Sequence, residues 1–144
     1  MPYELIKLAT LNNIRVEFWN FEWPLEAIYY HGKQPWILLS RNLFGNRAHF
    51  RSVLTEELGH HFTSAGDRII KAKLNYQDVL EISRQEYRAM VWAARFLIPI
   101  EDLERAFSKG LRHNWELADY FCVDEQLLRL RLLLYIENEK VREA

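Results

Sequence analysis

Cysteine is nearly absent. Cys122 stands alone, which excludes an intrachain disulfide framework and points to a reduced, cytoplasmic setting. On its own it reads as a small buried hydrophobe. Net charge is just as scarce: 19 Lys and Arg against 20 Asp and Glu leave −1, so no global field draws the chain to nucleic acid or an anionic membrane. Long apolar runs are missing too. Stretches such as Leu132–Ile136 are far too short to span a bilayer, and Met1-Pro2-Tyr3-Glu4 lacks the basic and apolar regions of a signal peptide. There is no internal repeat, low-complexity tract or Gly/Ser linker. The expectation is a soluble protein of the cytoplasm with no membrane partner. What the chain does have is apolar weight. Hydrophobic residues make up 49% of its 144 residues and aromatics 14%, enough for the core of one domain, with or without a small appendage.

Tyr3 to Leu11 reads as a helix with Leu5 and Leu8 on one face, closed by Asn12-Asn13. Ile14 to Trp19 alternates as a strand. Ala27–His31 and Trp36–Ser40 read as two more, joined as a hairpin by Gly32-Lys33-Gln34-Pro35. From Asn46 the period becomes helical. One helix runs to Thr63, with Gly66-Asp67 after it, and residues 68–77 are ambiguous between loop and crossing segment. Ser83 is a good N-cap with Glu86 three residues on, opening a helix to Leu97 before Pro99. Ile100–Lys109 (ended by Gly110), Trp115–Phe121 and Asp124 to about Glu139 read as further helices. The fold class is therefore α+β, with helices segregated against a small three-stranded sheet.

The chemistry concentrates at Glu56-Glu57-Leu58-Gly59-His60-His61, followed 26 residues after His60 by Glu86. It nearly spells H-E-x-x-H, with Glu in place of the first His. On a helix Glu56 and His60 lie one above the other, so both could grip one ion, and a Glu from a second helix is the usual kind of third ligand. Glu57 would stand beside the ion as general base. Two carboxylates and an imidazole suit zinc first, with manganese or iron(II) as alternatives. Small residues at Ala89, Ala93 and Ala94 would let the second helix lie close, and Gly59 would relieve crowding between the ligands. Register stays open, because Glu57 and His61 are also an i, i+4 pair. At 100° per residue Glu57 and His61 fall with Phe50, Leu54 and Leu58 on the buried face, leaving Glu56 and His60 at a cleft edge. The bland alternative is an exposed Glu56–His60 pair and a satisfied core His61.

Arg51-Ser52-Val53-Leu54-Thr55-Glu56-Glu57-Leu58-Gly59-His60-His61-Phe62-Thr63 resembles the H-E-L-G-H-H segment of the ImmA/IrrE metallo-endopeptidases. The stretch from Glu86 to Pro99 is similar to that family's second helix, Glu-x-x-Ala-x-x-(Phe/Trp)-Ala ending in Leu-(Ile/Met)-Pro. The resemblance covers about Tyr3 to Pro99 and implies a zincin-like helical core in residues 1–99, with residues 100–144 a helical extension packed on it. By position it implies metal ligands at Glu56, His60 and Glu86, one divalent ion, and a catalytic Glu57 that takes a proton from water and passes it to the leaving amine. Glu56 departs from the family's His, and as a charged ligand it would leave the ion less electrophilic. The implied substrate is a helix-turn-helix repressor of a prophage or mobile element. The alternative is an inactive relative that binds such a repressor or another protein. For stabilising an oxyanion the candidates are His61, His31, Tyr87 and Arg88. His49 lies on the face of Glu56 and His60 but too far along to share their ion, and defaults to a surface histidine.

Trp115 to Leu130 resembles a helix-turn-helix, with Arg129 and Arg131 on its second helix. Residues 100–144, however, hold 7 Lys and Arg against 10 Asp and Glu, a net −3 that disfavours direct DNA binding. A buttress on the first unit or a docking surface for substrate is preferred. Leu127, Leu130, Leu132, Leu133, Leu134 and Ile136 wrap much of the last helix, which suits burial, in part at a homodimer interface.

Overall fold

The order of elements in the computed structural model is α1 (Tyr3–Leu11), β1 (Arg15–Trp19), β2 (Leu25–His31), β3 (Trp36–Ser40), a 3-10 turn (Arg41–Gly45), α2 (Arg47–Thr63), β4 (Ile69–Leu74), α3 (Arg84–Leu97), α4 (Ile100–Ser108), α5 (Asn114–Phe121) and α6 (Glu125–Glu143). The structure describes residues 1–64, 69–74 and 83–143. The fold is α+β. The three expected strands are present, and β2 and β3 pair as the antiparallel hairpin. A fourth strand joins them, giving the order β1-β3-β2-β4 with β1 parallel to β3 and β4 antiparallel to β2. It comes from the ambiguous segment, of which Arg68 and residues 75–77 lie outside the described residues, as do Gly66-Asp67. Ile-Ile-Lys-Ala-Lys-Leu carries only a weak strand pattern, and pairing with β2 is what decides it.

Helix ends follow the cap chemistry. Asn46 Oδ1 accepts from the His49 amide and Ser83 Oγ from the Glu86 amide, at 3.1 Å each. Gly110, at φ +89, ends the stretch begun by α4. Cys122 corrects an expectation: it is only half-buried and holds a left-handed C-cap at φ 54 after α5, where its carbonyl accepts from Arg51 Nε at 3.1 Å.

Ala27 pairs with Leu39 and Tyr29 with Ile37, and these four fully buried side chains share an apolar cluster with Leu5 of α1 and Val53, Leu54 and Leu58 of α2. A second cluster joins Ala93, Ala94 and Ile98 to α4, α5 and α6, with Trp92 and Leu97 packed against both. In α6, Leu127, Leu128 and Leu134 are buried, whereas Leu133 and Ile136 are exposed. Arg131, counted above among groups that could meet DNA, is buried and donates from Nε to the Ile98 carbonyl at 2.6 Å. The middle of α2 is enclosed on all sides: every position from Ser52 to His60 is buried.

His49 is not a surface histidine. Its Nδ1 lies 2.7 Å from Asp124 and its Nε2 2.5 Å from Glu26. Glu26 reaches it because the β2–β4 register slips between Leu25 and Ala27, so the buried Glu26 and the buried Ala27 follow one another without alternation. Ser52 Oγ accepts from the Asp124 amide at 2.9 Å, completing a polar tie between α2 and the start of α6. The Asp124 and then the Glu26 hydrogen bonds raise the His49 pKa from 6.5 to about 10, against the opposing effect of burial. A folded-state value above the unfolded one gives stabilisation that is complete below about pH 6.5 and lost as pH rises through about 10. Replacing His49 by Gln is therefore expected to cost roughly 2–4 kcal/mol at pH 6.5, with the gap to the parent narrowing toward pH 10. Melting curves of both proteins between those pH values check it, and a pH-independent gap would contradict the ion triad.

Candidate metal centre

Four of the singled-out side chains meet at the contact of α2 and α3. His60 Nε2 lies 2.9 Å from Glu86 Oε2, bringing the two motifs together across 26 residues of chain. Close approach of the helices makes this possible. A Cβ built on Gly59 would lie 2.5 Å from the Ala89 carbonyl oxygen and 3.0 Å from its Cα, so only glycine admits this spacing. Glu56 and Glu57 precede His60 by one helical turn, and both are buried. The arithmetic of 100° per residue was right for Glu57 and wrong for its neighbours. Glu56 and His60 are as enclosed as Glu57, and His61 is the partly exposed one, because α3 covers the side taken for a cleft edge.

A residue not anticipated completes the cluster. Lys73 pairs with Ala27 across β4 and β2, so its side chain leaves the sheet on the face turned to α2. Its Nζ lies 2.9 Å from Glu56 Oε2 and 3.8 Å from Glu86 Oε1. The Glu56 contact is one of charge rather than aligned hydrogen bonding, since Glu56 Oε2 has no partner of hydrogen-bond geometry. Glu57 Oε2 is buried without such a partner as well. Burial pushes the Glu57 carboxyl well above the ordinary range, helped by the charges of Glu86 and Glu56. Glu56 is raised for the same first reason, with Lys73 working against it. Burial alone lowers the Lys73 ammonium, but Glu56, then Glu86 and Glu57, more than offset that, and its pKa is raised. The signal that could have found Lys73 was the sum of charge: three carboxylates brought to one buried place require a cation.

Beside this cluster lies a phenol held between two imidazoles. The Tyr29 hydroxyl is 2.5 Å from His31 Nδ1 and 2.9 Å from His61 Nδ1, and the Tyr29 ring stacks on His60 at 6.2 Å between centroids. One phenolic proton can be donated to only one ring, so the other ring must donate to the oxygen. Burial, and next the Glu57 charge, raise the Tyr29 pKa. Burial, and next His31, lower that of His61, favouring its neutral form. His31 and His61 are thus brought together next to the carboxylates. Tyr87 and Arg88 are not: they line a cavity of about 530 Å³ with Thr63, Val91, Trp92, Arg95 and Phe96. On that side Phe62, Trp92 and Phe96 stack in series, at 5.0 and 4.9 Å between centroids.

Glu56, His60 and Glu86 offer two carboxylates and an imidazole, a donor set suited to zinc, manganese or iron(II), and Glu56 Oε2 is a buried oxygen lacking an aligned donor. In that sense the residues fit a divalent ion. Their arrangement is closed, however: His60 is bonded to Glu86, Lys73 lies between the carboxylates, and among the described residues no three His, Cys, Asp or Glu side chains already surround one metal position. No helix among the described residues is long and apolar enough to cross a membrane.

The family model described as the IrrE N-terminal-like domain, peptidase M78, matches residues 1–133, which carries the likeness past Pro99 and into α6. No curated protein and no solved structure gives a match. The family implies metallopeptidase chemistry, with a metal cofactor and a protein substrate. Coverage of all but the last residues of the chain decides the assignment: this chain belongs to the M78 peptidase family of IrrE N-terminal-like domains.

Proposed function

We propose that the chain is a metal-dependent endopeptidase that cleaves a helix-turn-helix repressor of a prophage or mobile element, with zinc as the first choice of ion. The observation that carries this reading is Glu57. It is 1% exposed, has a carboxylate oxygen with no hydrogen-bond partner, and lies among Glu56, His60 and Glu86 on the pattern of a zinc-hydrolase helix. A buried carboxyl with a raised pKa is costly unless it has a task, and accepting a proton is such a task.

Glu56, His60 and Glu86 would hold the ion, which when bound would supply Lewis-acid polarisation and a more acidic water. Glu57 would take the proton at its buried oxygen and deliver it to the leaving amine. Tyr29 fixes the ring orientations of His31 and His61, and the ring that accepts the phenolic proton at Nδ1 would keep its own N–H at Nε2 free to meet an oxyanion. Residues 100–144 would act as a helical extension that buttresses the first 99.

One observation favours a second reading. With Glu56 where the family has His, the Lys73 ammonium neutralises part of the cluster without any metal, as suits a relative that binds a repressor and does not cut it. Elemental analysis of tag-free protein separates the two. About one zinc, manganese or iron per chain, lost in Glu56→Ala, His60→Ala and Glu86→Ala, is the expected result. Parent protein that stays metal-free after incubation with each ion would give the second reading the lead.

A further inference from the structure

The cluster holds three carboxylates, from Glu56, Glu57 and Glu86, and the first two are buried. Carboxylates so enclosed need a cation or must stay protonated. Lys73 supplies that cation from outside the α2–α3 pair. It stands on β4, at the edge of the sheet, and its register opposite Ala27 aims it at α2. Its ammonium contacts Glu56 at 2.9 Å and approaches Glu86 to 3.8 Å, the two carboxylates that the metal reading assigns as ligands. Those oxygens cannot serve an ammonium at that distance and a divalent ion together, since two cations would then lie within a few ångströms of one another in a buried place. A lysine is also a cation that can leave. It has a flexible four-carbon stem and a single point charge, unlike the planar fork of arginine.

We propose that Lys73 is the resident cation of the metal-free centre, and that a divalent ion enters only as the Lys73 ammonium withdraws from Glu56 and Glu86. The inference rests on the metal-dependent reading of the site. It makes the ligand set self-neutralising before metal arrives, and it makes metal affinity depend on a residue that is not a ligand.

The test compares full-length parent with Lys73→Met in zinc titrations against a chelating dye, together with amine acetylation followed by mass spectrometry. Expected are zinc binding at least about tenfold tighter in Lys73→Met, and acetylation of Lys73 in the parent that is slow without zinc and at least several-fold faster with it, the other lysines serving as internal reference. Without metal, Lys73→Met should melt about 5 °C or more below the parent. If that variant does not fold, Lys73→Met combined with Glu56→Gln should restore folded protein, because both halves of the ion pair are then gone. Equal zinc affinity in parent and Lys73→Met, acetylation of Lys73 indifferent to zinc, or no zinc bound by either protein would each overturn the proposal. Zinc binding with release of Lys73 but no cleavage of any repressor would uphold it while sinking the peptidase reading.

Discussion

Glu57→Gln is expected to abolish peptide cleavage, by a factor of at least about 10³, while leaving the fold, the metal content and the binding of substrate intact. The amide has the shape of the carboxyl but cannot accept and return the proton. Its second expected effect is the more telling. In metal-free protein the variant should melt above the parent, because Glu57 is buried with an unpartnered oxygen and its pKa is raised by that burial and by Glu86 and Glu56. A folded-state value above the unfolded one contributes stability at low pH and loses it as pH rises. The advantage of Gln over Glu should therefore widen from about the ordinary glutamate value of 4.5 upward. Gains of roughly 1–3 kcal/mol at pH 8 are the scale for relieving a buried charge. Cleavage gels with mass spectrometry of the products, beside melting curves in chelator, read both effects. A variant that loses cleavage and also loses stability would make Glu57 a structural residue. Retained cleavage would remove it from the chemistry altogether.

Gly59→Ala is expected to be the most damaging glycine-to-alanine change among the described residues. Alanine ordinarily stabilises a helix interior by about 1 kcal/mol over glycine. Here the new Cβ would stand 2.5 Å from the Ala89 carbonyl oxygen, and the next nearest atoms are also backbone. No side-chain rotation relieves that contact, so α2 and α3 must separate. A net loss of about 3 kcal/mol or more is expected, with loss of bound metal, since Glu86 meets His60 only across this approach. Ala89→Gly should not rescue it, because the clash is with main chain. Gly45→Ala is the control: its Cβ would meet nothing within 4 Å, and a change within about 0.5 kcal/mol is expected. Urea unfolding of the four proteins settles the point, and a neutral Gly59→Ala would mean the helices are less tightly apposed than described.

Gly59 also shows what the sequence made legible. Its place between ligand-type residues, and the alanines of the second helix, called for close packing before any coordinates. The change of period at Asn46 and the cap at Ser83 marked where α2 and α3 begin, and the i, i+4 spacing with a distant Glu pointed to the place where His60 meets Glu86. What stayed hidden depended on tertiary surroundings. Periodicity assumes one wet side along the whole helix, so it misjudged Glu56, His60 and His61 on a helix whose middle has none. The fourth strand draws its order from β2 rather than from its own residues, and Lys73, whose role follows from that pairing, was hidden with it. His49 looked like a surface histidine because the one-residue register slip that brings Glu26 to it is invisible in a chain read alone.

The all-round enclosure of the middle of α2 bears on how the chain reaches its native state. A helix whose positions from Ser52 to His60 are all covered gains little by forming early, because most of what stabilises it must already be in place. Its partners are remote along the chain: Glu26 lies 23 residues before His49, Asp124 lies 75 after it, and Glu86 lies 26 after His60. Each contact waits on closure of a long loop. Helix α2 is then expected to lock in during the last cooperative step, so that a nascent or half-folded chain carries the residues of the cluster without the cluster itself.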